Sequence, residues 1–262
     1  MNHFSNLRFE LQAFTNHRYL WLHYAYQDIK QRYRRSIVGP FWITISTAIF
    51  VTALSQVYSR LFKISLNGYF PYLAAGLIIW TFITTALNEA ANSLISVENV
   101  IKQVRIPFTS HIMRSLYRNF LIFLHSWVVL FPVLYLFGTL NVSGIIYSFL
   151  GMAILLLTLF PLSMLLAISC LRYRDILPMV SALLQLLFFV TPVMWRVEQV
   201  PSLLKYMAWN PFYYMISMVR DPLLSDHFPV SSFVVTASIG AVAWLFAIVI
   251  LMRTYKKIAY WL

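Results

Sequence analysis

The sequence is short of cysteine, acidic residues and glycine motifs, and each shortage excludes a kind of chemistry. Its only cysteine, Cys170, can form neither an intramolecular disulfide nor a cysteine-based metal site. None of its seven glycines belongs to a Gly-x-x-x-x-Gly-Lys phosphate loop, so the chain is not expected to hydrolyse ATP. Its eight acidic residues form no pair at a common membrane depth that would serve as a catalytic or metal site. We expect no catalytic residue, no metal site and no cofactor bound by this chain.

Apolar residues, by contrast, are abundant. Hydrophobic residues make up 60% of the chain, charged residues only 11%, and the mean hydropathy is +0.72, a composition that soluble domains rarely have. Apolar segments long enough to cross a hydrocarbon core of about 30 Å recur without the alternation of barrel strands, so each is predicted to be an α-helix. The sequence predicts an all-α polytopic membrane protein with six transmembrane helices, near residues 40–58, 70–87, 116–137, 145–170, 177–195 and 231–252.

Basic residues dominate the charge, with 20 Lys and Arg against eight Asp and Glu and a formal net charge of +12. Most of them fall on the side of the amino terminus if the six predicted helices cross in turn. Short loops rich in Lys and Arg stay in the cytoplasm, so both termini are predicted to be cytoplasmic. Membrane topology thereby explains the charge without a nucleic-acid partner. The polar start, MNHFSNLRFELQAF, lacks the apolar core of a removable signal peptide.

Residues 1–38 are predicted to form a cytoplasmic amphipathic segment in the headgroup layer, ahead of a six-helix domain at 39–262. The segment ends in a cluster of basic residues, namely Lys30, Arg32, Arg34 and Arg35. Pro40 then opens the first predicted span. One interpretation of the cluster is attraction to anionic lipid. The other is that its arginines receive a phosphorylated or pyrophosphorylated lipid substrate through bidentate contacts. The residues alone leave both open.

A second predicted cytoplasmic segment, 88–115, is too polar to span the membrane and too regularly patterned for a passive linker. Its apolar residues recur at helical spacing between Leu94 and Val104, and Pro107 is expected to end or kink that helix. An amphipathic helix on the cytoplasmic face lies on the bilayer or docks into a groove of a soluble partner. The pattern itself favours neither.

The predicted external segment, 196–229, contains two apolar runs that are too short to span a membrane. Asn210-Pro211 and Asp221-Pro222 interrupt them, which predicts re-entrant or interfacial helices. Such a broken hairpin would cap the outer mouth of a transport pathway. Alternatively, its aromatic residues only anchor it at the lipid interface.

Six short motifs occur in the order found in the permease subunits of polysaccharide-exporting ABC-2 transporters, which this sequence resembles. They are QRYRRSIVGPFW, GLIIWTFI, SVENVIKQVRIPF, LRYRDI, TPVMW and NPFYYMISMVRDPLL, and they extend over residues 25–225. That family exports lipopolysaccharide O-antigen, capsular polysaccharide and teichoic acid. The match at RYRRS and RYRDI favours this saccharide branch over a permease for small drugs or simple lipids.

The resemblance implies a homodimer in the bacterial inner membrane, working with two copies of a separate ATPase that binds Mg-ATP. The expected substrate is a lipid-linked polysaccharide on undecaprenyl pyrophosphate. O-antigen is the favoured polymer, and capsule, teichoic acid or a smaller lipid or drug is the alternative.

The resemblance also implies site residues of several kinds. The phosphate-receiving candidates are Arg32, Arg34 and Arg35. The candidates for coupling to the ATPase are Ser96, Glu98, Asn99, Lys102 and Arg105. A second cytoplasmic loop contributes Arg172, Arg174 and Asp175. The external gate includes Trp209, Asn210, Pro211, Phe212, Tyr213 and Tyr214.

Overall fold

The structure is a computed structural model that describes residues 3–34, 38–39, 41–137, 139, 141–225 and 227–261. Throughout these residues the secondary structure is helical, which confirms the predicted all-α class. Arg35 of the basic cluster and Pro40, which was predicted to open the first span, lie outside the described residues. In chain order the α-helices are α1 (His3–Leu11), α2 (Arg18–Tyr33), α3 (Phe41–Leu61), α4 (Leu66–Asn92), α5 (Glu98–Gln103), α6 (Phe108–Leu136), α7 (Val142–Arg172), α8 (Ile176–Val190), α9 (Leu204–Met207), α10 (Pro211–Ser225) and α11 (Val230–Trp261).

Five of the described helices, α3, α4, α6, α7 and α11, are long and apolar enough to cross a membrane. The shortest of them, α3, has 21 residues and extends about 32 Å at a rise of about 1.5 Å per residue. That length suffices for a hydrocarbon core of about 30 Å. The chain is a multi-pass membrane protein.

The fifth predicted span, 177–195, differs from the other five. Its helix, α8, has 15 residues, or about 22 Å, and ends at Val190. Thr191 then takes an extended conformation, with φ −83° and ψ 137°. The reason is local, because the ring of Pro192 disfavours helical geometry in the residue before it. The structure therefore has five helices of spanning length and one shorter apolar helix in its described part.

The centre of the bundle is α4. Its most apolar stretch is 78% buried, against 11% for that of α3, because α3, α6, α7 and α10 all pack against it. Many of its buried side chains are small, as at Ala74, Ala75 and Gly76, which allows neighbouring backbones to approach closely. Large apolar side chains are exposed on α3, α8 and α11, as expected for surfaces that face lipid or another subunit.

The predicted amphipathic segment consists of two helices, α1 and α2, joined by a turn at 12–17. Of these, α2 packs along α6 and buries Ala25 and Ile29. In the other predicted cytoplasmic segment, 88–115, α4 continues to Asn92 and α6 begins at Phe108, with α5 between them. We call the end of the bundle that carries α1, α2 and α5 the amino-terminal face.

The predicted external segment, 196–229, packs partly into the bundle. Within it, α10 packs against α4, α7 and α11 and buries Met215, Met218 and Val219. Phe212, near its start, contacts Trp80 in the interior of α4, with ring centroids 5.6 Å apart. The helix thus begins inside the bundle and runs towards the end opposite the amino-terminal face.

Candidate functional site

A cleft of about 530 Å³ lies between α3, α4 and α6. Arg32 lines it, together with Glu89 of α4 and Asn119 of α6. Deeper hydroxyl-bearing residues also line the cleft, namely Ser46, Thr47, Thr81, Thr85 and Ser126. The cleft therefore combines charged side chains near the amino-terminal face with uncharged polar groups further along the membrane helices.

The cleft threonines are compatible with a membrane interior. The hydroxyls of Thr81 and Thr85 each donate to the carbonyl four residues earlier, at Leu77 and Thr81, over 2.7 Å. Their protons are satisfied within α4, while their oxygen lone pairs remain available as acceptors. Of the predicted phosphate-receiving arginines, the structure brings only Arg32 to this cleft, and Arg34 is exposed elsewhere.

An ion-pair network ties α2 to α6 and α4 beside the cleft. Arg114 donates two hydrogen bonds to Asp28, at 2.8 and 2.5 Å, and Arg118 bridges Asp28 and Glu89 at 2.7 Å each. Asn119 donates to the same Glu89 oxygen over 2.5 Å. Burial alone would raise the pKa of Asp28, but the hydrogen bond from Arg114 and the charges of both arginines outweigh it and hold the pKa below its usual value.

The amino-terminal helix α1 is fixed to the start of α6 by a buried carboxylate. Glu10 accepts hydrogen bonds from the backbone N–H groups of Phe108, at 3.2 Å, and Thr109, at 2.9 Å, and the Thr109 hydroxyl lies 2.9 Å from it. It satisfies donors that the first turn of a helix leaves free. Burial raises the pKa of Glu10, and these hydrogen bonds oppose the rise without cancelling it.

The predicted coupling residues gather on the amino-terminal face. Glu98 and Lys102 form an exposed ion pair of 2.5 Å along α5, and the Arg105 guanidinium lies 5.2 Å from the ring of Phe9 in α1. The hydrogen bond from Lys102 lowers the pKa of Glu98, and the charge of Arg174 contributes to that shift. This link places the second predicted loop beside the first.

The other predicted residues of this face make fewer contacts. Ser96 is exposed in the short turn before α5, and Asn99 is exposed in the first turn of α5 itself. Arg172 lies over the ring of Trp261 at 5.3 Å, which joins the ends of α7 and α11. Asp175 precedes α8, and its side chain makes no capping hydrogen bond there.

At the other end of the bundle, residues 191–196 form a turn that we call the re-entrant turn. Non-helical backbone at membrane depth requires hydrogen-bond partners from surrounding protein. Tyr72 provides them from α4, with its hydroxyl 3.0 Å from the carbonyls of both Pro192 and Trp195. Tyr69 donates to the carbonyl of Met194. Side chains of α4 therefore hold the turn in place.

Arg220 of α10 holds the same turn from its other side. Its side chain is buried, donates to the Pro192 carbonyl over 2.8 Å and lies 4.0 Å from the centroid of the Tyr72 ring. Asp221, which is partly exposed, accepts a further hydrogen bond from it at 3.1 Å. A buried guanidinium is stable here because a carbonyl, a carboxylate and an aromatic face surround it.

The predicted gate residues lie at the start of α10. Asn210 is buried, caps the helix by accepting from the N–H of Phe212 at 3.0 Å, and donates to the Thr191 hydroxyl at 3.0 Å. Pro211 occupies the first helical position, which suits its fixed φ. Trp209 is 88% exposed, so its ring has no place in the core of this chain.

The last two predicted gate residues continue along α10. Tyr213 and Tyr214 pack edge to face, with centroids 5.3 Å apart. The Tyr214 hydroxyl donates to the carbonyl of Ala208 over 3.3 Å, which closes the loop back onto the start of its own helix. The predicted gate residues are thus contiguous in space. Among them, Trp209 is almost fully exposed.

Small residues of α7 receive the backbone of α10. A side-chain Cβ at Gly144 would lie 2.2 Å from the Pro222 carbonyl oxygen, and one at Gly151 would lie 2.7 Å from that of Met218. Ser148, between them, donates to the Val219 carbonyl over 2.8 Å. The two helices therefore pack backbone to backbone, which only small residues allow.

Comparison with known proteins identifies the family of this chain. A family model described as ABC-2 type transporter matches residues 19–224, which include the cleft, the re-entrant turn and α10. The chain belongs to the ABC-2 type transporter family. An O-antigen export system permease protein RfbA from Klebsiella pneumoniae is 24% identical over 200 residues, covering 74% of this chain and 76% of that relative. Another RfbA, from Myxococcus xanthus, is 25% identical over 204 residues, covering 74% and 75%.

Several residues of this ABC-2 protein that carry the described contacts were not expected from sequence. Neither Glu89 nor Arg220 is among the predicted site residues. Both are hydrogen-bonded inside the bundle to partners far away in sequence. One signal was present, because an ionisable residue within an apolar helical run is rarely left without a partner.

Proposed function

We propose that the chain is the membrane subunit of an ATP-driven exporter that moves lipid-linked O-antigen polysaccharide across the bacterial inner membrane. The relatives named above are O-antigen export permeases and match about three quarters of this chain. The observation that carries the proposal is the cleft between α3, α4 and α6, with Arg32 among its charged residues and hydroxyls beyond them. A guanidinium fork suits a pyrophosphate, and uncharged acceptors suit a sugar.

In the proposed topology both termini are cytoplasmic and the chain crosses six times. The 22 Å of α8 is shorter than a hydrocarbon core of about 30 Å, and the re-entrant turn, whose backbone is satisfied by surrounding side chains, would complete this fifth crossing. We place the amino-terminal face in the cytoplasm because its segments hold most of the Lys and Arg residues.

In the proposed assembly, two copies of this chain work with two copies of a separate ATPase that hydrolyses Mg-ATP. The ATPase would dock on α1, α5 and the loop containing Arg174, since Arg105 contacts Phe9 of α1 and the charge of Arg174 acts on Glu98. Glu10 would transmit movement of α1 directly to α6. The purified chain alone is expected to have no ATPase activity, and hydrolysis by it would contradict this division of labour.

The outer end of the pathway would be closed by the segment from the re-entrant turn to α10. Trp209 supports this role because its ring is 88% exposed and available to a second copy or to the polymer. Tyr72 and Arg220 would keep the segment in place while the pathway is at rest.

The decisive experiment substitutes Arg32→Lys in cells whose only copy of the permease is this gene. Loss of one charge-assisted hydrogen bond costs about 1.5–3 kcal/mol, so we expect surface polysaccharide to fall about tenfold or more at matched protein level. Arg34→Lys is the matched control, because Arg34 is in the same cluster but does not line the cleft. Equal export by both variants and the wild type would contradict pyrophosphate recognition at Arg32.

A further inference from the structure

A second cavity, of about 410 Å³, lies at the amino-terminal face between the end of α4, the turn before α5 and the start of α6. Its volume is within the range of about 300–1,000 Å³ that is typical of small-molecule sites. Glu89 lines both this cavity and the cleft, and therefore separates the two. We call it the polar cavity, because every lining side chain except that of Val97 is polar or charged.

Two buried side chains of the polar cavity have unused hydrogen-bonding atoms. His111 is 8% exposed and Ser115 is 4% exposed, and both line the cavity. His111 Nε2 and Ser115 Oγ have no hydrogen-bond partner among the described residues. Buried polar atoms are nearly always satisfied by protein, water or a ligand, so each of these two atoms has capacity for one further hydrogen bond.

The charges in and behind the cavity exclude a strongly anionic occupant. Arg114 and Arg118 line it, but Asp28 and Glu89 already neutralise them through hydrogen bonds of 2.5 to 2.8 Å. Both bonds that Glu89 accepts reach Oε2, and its Oε1 has no partner in the described part of the chain. A carboxylate oxygen with free lone pairs repels a phosphate and accepts a hydroxyl proton.

We propose that the polar cavity binds one uncharged sugar residue of the transported chain. The site offers guanidinium donors, a carboxylate acceptor, and hydroxyl and imidazole groups that do both, and a sugar presents matching hydroxyls in several directions. This inference rests on the proposed function, since it takes the cargo to be a polysaccharide. It also agrees with the proposed role of Arg32. A sugar beside Glu89 would adjoin the cleft, and Arg32 in that cleft would meet the pyrophosphate to which the sugar is joined.

The test uses saturation-transfer difference NMR on the full-length chain in lipid nanodiscs. The probes are N-acetylglucosamine, N-acetylgalactosamine, galactose and mannose, with inorganic pyrophosphate as the anionic comparison. We expect saturation transfer to at least one of the four sugars. We also expect Ser115→Leu, which puts a larger apolar side chain at the cavity wall, to abolish the signal. Ser115→Ala removes a single hydrogen bond and should weaken binding about three- to tenfold.

Ser110→Ala provides a matched control. Ser110 is also a buried serine of the same helix with an unpartnered hydroxyl, but it does not line the cavity, so its loss should leave sugar binding unchanged. If Ser115→Leu fails to fold, the comparison of the two alanine variants still decides. No saturation transfer to any of the sugars, or binding that all three variants retain, would overturn the proposal. Displacement of a bound sugar by pyrophosphate would overturn its uncharged character.

Export measured in cells separates this inference from the proposed function. If the wild-type gene restores surface polysaccharide and Ser115→Leu restores it equally, the sugar site is refuted while the proposed function stands. If the wild-type gene restores none, the proposed function fails, and saturation transfer that is sensitive to Ser115→Ala and not to Ser110→Ala still supports the site.

Discussion

Replacing Gly144 by alanine should force α7 and α10 apart. The added Cβ would lie 2.2 Å from the Pro222 carbonyl oxygen, whereas real Cβ contacts are essentially never below 3.0 Å. The helices must therefore separate by at least 0.8 Å, which is the difference between these two distances. The same shift would lengthen the hydrogen bond of 2.8 Å from Ser148 to Val219 beyond normal range. Both effects act on the helix that begins with the predicted gate residues.

The free energy of unfolding should fall by about 1–3 kcal/mol. Overpacking costs about 1–3 kcal/mol and a weakened hydrogen bond about 0.5–1.5 kcal/mol, while alanine regains up to about 1 kcal/mol of helix propensity over glycine. At about 2–4 °C per kcal/mol, the purified Gly144→Ala variant should melt about 2–12 °C below the wild type.

Differential scanning fluorimetry of both proteins in the same lipid nanodiscs measures this shift. Gly68→Ala is the control, because a Cβ there meets nothing closer than 3.5 Å and should leave the melting temperature unchanged or slightly raised. A Gly144→Ala protein that melts at or above the wild-type temperature would refute the close backbone packing of α10 on α7.

Three further predictions concern other contacts. Tyr72→Phe removes the donor to carbonyls of the re-entrant turn and should cost about 1–3 kcal/mol in thermal unfolding, whereas Tyr135→Phe, at a residue that is 73% exposed, should cost almost nothing. The pKa of Glu10 is raised above 4.5 in the folded protein, so the wild type should lose stability as the pH rises from 4.5 through that folded-state pKa. Glu10→Gln should flatten this loss when the melting temperature is measured against pH. Parallel profiles of the two proteins would argue against the buried carboxylate. A cysteine at exposed Trp209 should crosslink two copies in membranes and one at buried Met218 should not, and the reverse result would exclude the proposed closure between subunits.

The fold could be predicted largely because its signals are local. Length and hydropathy indicated the five long helices, since a membrane span needs about 20 apolar residues in succession. The early end of α8, within the fifth predicted span, also has a local cause that was visible in the sequence, because Pro192 disfavours helical geometry at Thr191. The division of the amino-terminal segment into α1 and α2 had no comparable marker.

The candidate site was predicted only where one stretch of sequence carried it. The basic cluster and the pair Asn210-Pro211 can be read directly from the sequence, and the structure places Arg32 of the cluster in a cleft and the pair at a helix start. The partners of Asp28 and Glu10 could not be found in this way. Asp28 lies 86 residues from Arg114, and Glu10 lies 98 residues from Phe108.

The sequence by itself determined that the chain is helical, crosses a membrane several times and belongs with the ABC-2 permeases, because hydropathy, prolines and short motifs act through neighbouring residues. Only the tertiary structure decided that Glu89 separates two cavities and that Arg220 holds the re-entrant turn. The physical reason is that a charge inside a membrane protein is stable only beside a partner, and packing of distant helices alone determines which residue that partner is.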